Sequence, residues 1–325
     1  YSVDALAALV IATSLIQILF FLGMGYGIGV MGVIATSIAR GDEAEVRRAA
    51  RMALWLSGIH SLLCMPLFWF SGPILLALGQ SEVTAALAQD FLRIAGWGLL
   101  PMLGQLALNS YLAALERTAV AMWATLAGLP LNILLIWVLT FGNLGMPELG
   151  VRGAAIASVT VQTASLIALA LYAHWLPEAR KYHLFQRFWR PDWAAMRDVF
   201  RIGWPIGLTL VAEGGLFVAS NVMMGWIGTR ELAAHGIALQ ITSITFMVHL
   251  GLSNAATVRV GQTKGREDRA GMRDAAVTVT GLSLVFAALA ISIYLLFSTQ
   301  LVGLYLDPAD PQAPAIIALG ALLLM

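Results

Sequence analysis

Charge is what this chain has least of. Asp, Glu, Lys and Arg make up 11% of its 325 residues, against about 25% in an ordinary soluble domain. A polar-coated globule is therefore excluded. There is one cysteine, Cys64, so no intrachain disulfide can form and the redox compartment is left open. Catalytic signatures are also missing: there is no HExxH, no GxSxG and no P-loop. The five histidines, His60, His174, His183, His235 and His249, lack metal-ligand spacing. They are read as packing or hydrogen-bonding residues. The expectation is a non-enzymatic protein with no cofactor and no nucleic-acid partner.

What is abundant is apolar sequence. Hydrophobic residues make up 59% of the chain and mean hydropathy is +0.82. Eight apolar runs, at about 5–39, 52–80, 94–115, 118–146, 153–176, 202–228, 232–258 and 275–306, each exceed the ~20 residues a helix needs to cross a bilayer. A ninth begins near Ala313 and continues to Met325. Barrel strands alternate polar and apolar positions over about 10 residues, whereas these runs are continuous. Only helices and closed barrels satisfy the backbone in lipid. The fold class is thus an all-α, polytopic membrane bundle. No signal peptide precedes the first run, and the sequence stops inside an apolar run. The chain is expected to be part of a longer protein.

Of 19 Lys and Arg residues, 16 fall on alternate loops: Arg40, Arg47, Arg48 and Arg51; Arg117; six between Arg180 and Arg201; five between Arg259 and Arg273. Only Arg93, Arg152 and Arg230 fall on the others. The positive-inside rule makes loops 40–51, 177–201 and 259–273 cytoplasmic.

The sequence also repeats. Residues 26–50 and 250–276 share small residues, a basic residue, a charged cluster and Arg-x-Ala-Ala. The letters align Gly41 with Gly265 and Ala49-Ala50 with Ala275-Ala276, and further on Phe70-Ser71 with Phe297-Ser298. Six spans separate the starts of the two copies, so both cross in the same direction. A parallel repeat implies two bundles about an axis along the membrane normal. The expected division is an amino-terminal lobe at 1–176, a cytoplasmic linker at 177–201 and a carboxy-terminal lobe at 202–325. The linker carries six basic residues among Phe185, Phe188, Trp189 and Trp193. It reads as a charged connector with aromatic anchors, or as an interfacial amphipathic helix touching anionic lipid. Gly23, Gly25, Gly27, Gly29 and Gly32 crowd the first run, which reads as close helix packing or as flexibility in a moving lobe.

One carboxylate stands out. Glu213 is the only charge between Arg201 and Arg230, and a charge at the membrane midplane costs at least ~2.5 kcal/mol. Such a residue marks a candidate functional site. Its alternative role is a neutral acid hydrogen-bonded to a neighbouring helix. Asn132, beside Pro130 in another apolar run, needs hydrogen bonds for its amide. It is either a polar partner of the site or a cap for backbone freed by Pro130.

These residues also resemble a family. Gly203-Trp204-Pro205-Ile206 with Glu213 eight residues past the proline, Glu231-Leu232-Ala233-Ala234-His235, Ile244-Thr245-Phe246-Met247-Val248 and Ala255-Ala256-Thr257-Val258-Arg259-Val260-Gly261 look like the seventh and eighth helices of the multidrug and toxic compound extrusion (MATE) family, NorM-like bacterial branch. Leu129-Pro130-Leu131-Asn132 and Gly145-Met146-Pro147-Glu148-Leu149-Gly150 resemble its fifth helix and following loop. The resemblance implies two six-helix lobes, incomplete here, with helices two to nine and the start of ten present. It implies a monomeric antiporter of the bacterial inner membrane. Organic cations would be exported in exchange for sodium or protons, with Glu213 as coupling and substrate carboxylate, a possible sodium ligand, and Asn132 on a polar position of the fifth helix. His249 stands where many relatives have proline and Gly236 where many have glutamine, which bears on the bend of the eighth helix. A flippase of the same superfamily, carrying a lipid-linked precursor or polysaccharide, is the alternative. Its diphosphate cargo would want arginines in the spans, and no Lys or Arg lies inside an apolar run.

Overall fold

In the computed structural model, residues 3–306 and 312–325 are described, and they form helices joined by short turns. They are α1 Val3–Arg40, α2 Glu43–Trp69, α3 Ser71–Ala77, α4 Glu82–Ala95, α5 Leu99–Ala114, α6 Thr118–Phe141, α7 Gly150–Trp175, α8 Pro177–Arg180, α9 Trp193–Ile227, α10 Thr229–Gly265, α11 Arg269–Gly303 and α12 Ala313–Leu324. Eight helical stretches among them are long and apolar enough to cross a membrane, one for each predicted run. The helices outlast the apolar runs at their charged ends. α2 begins at Glu43 because Asp42 caps it, accepting from the Glu45 amide at 2.9 Å. The third span is α4 and α5 together, joined by a single 3₁₀ turn at Gly96–Gly98.

The chain divides into two compact units, Tyr1–Val211 and Ala212–Met325, and the division falls within α9. The first unit is built on a core of Phe68, Leu92, Leu99 and Leu103, with Ala8, Ala12, Ala88 and Ala155 letting the helices approach. In α6, Thr140 is the one buried residue, and Trp123, Leu129, Ile133 and Trp137 are exposed. A helix apolar all round with little protein cover is suited to lipid.

The glycines of α1 serve close packing. A Cβ on Gly25 would lie 2.0 Å from the Gly203 carbonyl oxygen, and one on Gly207 would lie 2.1 Å from the Leu22 carbonyl oxygen. Gly25 and Gly29 on α1 therefore meet Gly203 and Gly207 on the first half of α9, each pair four residues apart. Beside them Tyr26 stacks on Phe200, with ring centroids 5.9 Å apart.

The segment before α9 forms tight turns, with no interfacial helix over 181–192. It is fastened to α2. The Arg51 guanidinium donates to the carbonyls of Leu184 at 3.1 Å, His183 at 3.3 Å and Gln186 at 2.6 Å. Trp55 Nε1 donates to Phe188 O at 2.9 Å while the two rings stack. Phe185 and Phe188 thus turn inward, onto His174 and Trp55, and Trp189 and Trp193 remain exposed. Nearby, Arg117 pairs with Glu178; its hydrogen bonds hold the carboxyl below its usual range.

In the second unit, Ala238, Ile241, Val302 and Leu324 form the core. The repeat is visible in its turns. Asp42 N donates to Ser37 O at 3.0 Å, and Asp268 N donates to Thr263 O at 3.0 Å. Asp268 caps α11 through the Gly271 amide at 2.9 Å, as Asp42 caps α2. The left-handed residue before each aspartate is Gly41, with φ 74°, and Glu267, with φ 58°. This corrects the letter alignment: Gly41 corresponds to Glu267, and the glycine at 265 lies inside α10. A second shared feature follows. α2 ends at Phe70, with φ −103° and ψ 22°, and α11 kinks at Phe297, with φ −127° and ψ 16°.

The basic asymmetry sets a topology that labelling can check. On a Cys64→Ala background, Ala44→Cys and Gln186→Cys are expected to react with a membrane-impermeant thiol reagent only from the cytoplasmic face. Cys64 is itself buried, so its removal clears the background. Labelling of either position from the outside would overturn this orientation.

Candidate functional site

Glu213 lies on α9, two positions into the second unit. It is exposed, and it makes no hydrogen bond or ion pair among the described residues. α9 holds no other charge between Arg201 and its end at Ile227. At 1.5 Å per residue the carboxylate stands roughly 17 Å from the start of that uncharged stretch, close to half the ~30 Å hydrocarbon thickness. Nothing lies within 4 Å of where a Gly215 Cβ would stand, so the face of α9 turned away from Glu213 is also without protein cover there. Thr209 donates its hydroxyl to Pro205 O at 3.0 Å, which leaves an oxygen lone pair free, and Asn221 is half-buried further along.

The same unit contains polar groups that sequence reading did not assemble. Thr245 on α10 and Tyr294 on α11 share a hydrogen bond through their hydroxyls. One turn on, His249 places Nδ1 2.9 Å from Thr245 O and Nε2 3.3 Å from Ser283 O. A neutral ring can donate to only one of them, and the shorter contact is to Thr245. α10 runs unbroken through both His249 and Gly236, so the expected departure at the eighth helix leaves it helical. The i, i+4 spacing sets Thr245 and His249 on one face of α10, whereas their partners on α11 are distant in sequence.

Asn132 lies in the first unit, half-buried on α6 two residues past Pro130. It makes no hydrogen bond among the described residues, including to the backbone freed by Pro130. Glu213 and Asn132 therefore belong to different units. In the first unit His60 instead forms a buried polar contact, with Nε2 2.9 Å from Leu19 O, Cys64 Sγ at 3.6 Å and Tyr26 edge-on to its ring. No cluster of three His, Cys, Asp or Glu residues occurs among the described residues.

Comparison with known proteins decides the family. The MatE family profile matches residues 1–138 and 205–325. The chain belongs to the MatE family. The "Probable multidrug resistance protein NorM" of Rhizobium meliloti (strain 1021) is 42% identical over 320 residues, covering 98% of this chain and 68% of its own length. The protein of the same name from Agrobacterium fabrum is 38% identical over 322 residues, covering 99% and 69%. A MATE crystal structure solved in complex with MaL6 superposes with a TM-score of 0.85 at 22% identity, over 99% of this chain and 72% of that one. A eukaryotic MATE transporter superposes with a TM-score of 0.83 at 18% identity, over 99% and 71%. The two structures share the fold. With eight membrane-crossing helices and bacterial relatives, this MatE member is a multi-pass protein of the bacterial inner membrane.

Proposed function

We propose that this MatE protein is a secondary antiporter that exports organic cations across the inner membrane in exchange for inward sodium or protons. Glu213 carries the reading. It is an exposed, unpartnered carboxylate on an apolar helix, and the apolar runs supply no Lys or Arg to neutralise it. A cation is then its natural counter-charge, whether proton, sodium or drug. One carboxylate that holds either a coupling ion or a cationic substrate lets each displace the other, which is what exchange requires. Sodium takes several oxygen ligands, and the hydroxyl and carbonyl oxygens of α9 and α10 are of the right kind; a proton needs none. The NorM name of the relatives supports multidrug cargo. Asn132 is proposed as a polar group of the first unit's own lining.

The test is transport by the full-length protein in proteoliposomes, with sodium and proton gradients imposed separately. Efflux of a fluorescent organic cation should follow one of the two gradients, and sodium is the expected one. Transport of a lipid-linked diphosphate, with none of the cation, would replace this reading by the flippase.

A further inference from the structure

Four arginines gather on the cytoplasmic side of the first unit, and the proposed transport uses none of them. Arg47 and Arg48 stand on the first turns of α2, and Arg187 and Arg190 on the turns fastened beneath it. They line two adjoining cavities of about 450 and 430 Å³, which share Arg47, Arg51 and Arg190. Arg51 is occupied by the three backbone carbonyls that hold the turns in place. Arg48 lies 3.3 Å from Asp192, which also caps α9 through the Ala195 amide. Arg47, Arg187 and Arg190 have no acidic partner among the described residues. Arg187 is held in a left-handed conformation, with φ 54°, a geometry unfavourable for a non-glycine residue. Three uncompensated guanidinium groups converge here, and Trp193 lines the larger cavity with Trp189 exposed close by.

We propose that this basic pocket binds the phosphodiester headgroup of an anionic phospholipid of the inner leaflet. Guanidinium forks match phosphate oxygens two at a time. Tryptophan settles at headgroup depth, and basic pockets at the cytoplasmic ends of helices suit anionic headgroups. The pairing of Arg and exposed Trp at one level selects a lipid over a free phosphate, because a soluble anion has no use for the indoles. The site depends on the fastening of the turns to α2 by Arg51 and Trp55, helped by the Arg48–Asp192 pair, which brings Arg187 and Arg190 alongside Arg47.

Native mass spectrometry of the full-length protein, exchanged into detergent with equal phosphatidylglycerol and phosphatidylcholine, tests it. The wild type should retain phosphatidylglycerol by about tenfold, in line with several charges each contributing near the surface. The Arg47→Gln/Arg187→Gln/Arg190→Gln variant should lose that preference, and the corresponding lysine variant should keep part of it. Arg190→Gln alone, on an exposed turn, should lower it even if the triple variant does not fold. Arg266→Gln/Arg269→Gln, in the other basic turn, should leave it unchanged. Equal retention of the two lipids by the wild type, or an undiminished preference in the glutamine variants, would overturn the proposal. Displacement of the lipid by excess inorganic phosphate would replace it by a free-phosphate site.

Discussion

Efflux by a Glu213→Gln variant is expected to fall to background while expression and folding stay normal. Glutamine keeps the size and hydrogen bonding of the side chain and removes only its charge and its ability to exchange a proton. If the carboxylate holds the cation, the lost interaction belongs to the charged class worth about 1.5–3 kcal/mol, a drop of at least about tenfold. Removing the coupling step costs more, because exchange then stops altogether. Glu213→Asp keeps the charge but withdraws it by a methylene, and partial transport is expected. The readout is drug efflux from proteoliposomes of the full-length protein under each imposed gradient. Efflux by Glu213→Gln at the wild-type rate under either gradient would assign the residue to a neutral, hydrogen-bonding role instead.

The second large effect concerns stability. Gly207→Ala places a methyl group 2.1 Å from the Leu22 carbonyl oxygen, and Gly25→Ala places one 2.0 Å from that of Gly203. Both obstacles are backbone, so no side chain can swing aside and α1 must separate from α9. Overpacking of a close interface costs about 1–3 kcal/mol, and here the Tyr26–Phe200 stack would be disturbed as well. Gly281→Ala on α11 is the contrast. Nothing lies within 4 Å of its added Cβ, and alanine is the better helix former by about 1 kcal/mol. Thermal unfolding of the purified protein should show the first two variants markedly destabilised and Gly281→Ala unchanged or more stable. Equal midpoints for all three would mean that α1 and α9 do not depend on this contact.

Much of the fold was legible because lipid imposes a simple rule. An apolar run of sufficient length must be a helix, so each of the eight runs became one. Helix ends were less legible. Asp42 and Asp268 start their helices by side-chain capping in charged sequence, where hydropathy carries no signal. The break at Gly96–Gly98 was hidden because α4 is amphipathic and its charged face masks its continuity with α5. The linker's aromatic residues were visible, but which of them turn inward was not. That depends on Arg51 and Trp55, more than a hundred residues away. Glu213 could be singled out because an isolated charge in an apolar run is conspicuous. The bond between Thr245 and Tyr294 could not, because hydroxyls are unremarkable in either helix and meet only in three dimensions.

The turns preceding α2 and α11 keep the same hydrogen bonds, although one uses glycine and the other glutamate at the left-handed position. If both halves descend from one duplicated ancestor, the specific mark they share here is the capping aspartate, since the left-handed turn itself also ends the helices at Gly79 and Glu116. Drift has been free to rewrite the letters around it. Glu267→Gly would relieve the left-handed strain at this position. Searches for distant members of such a lineage would do better to match the aspartate and the bend after it than to score the residues one by one.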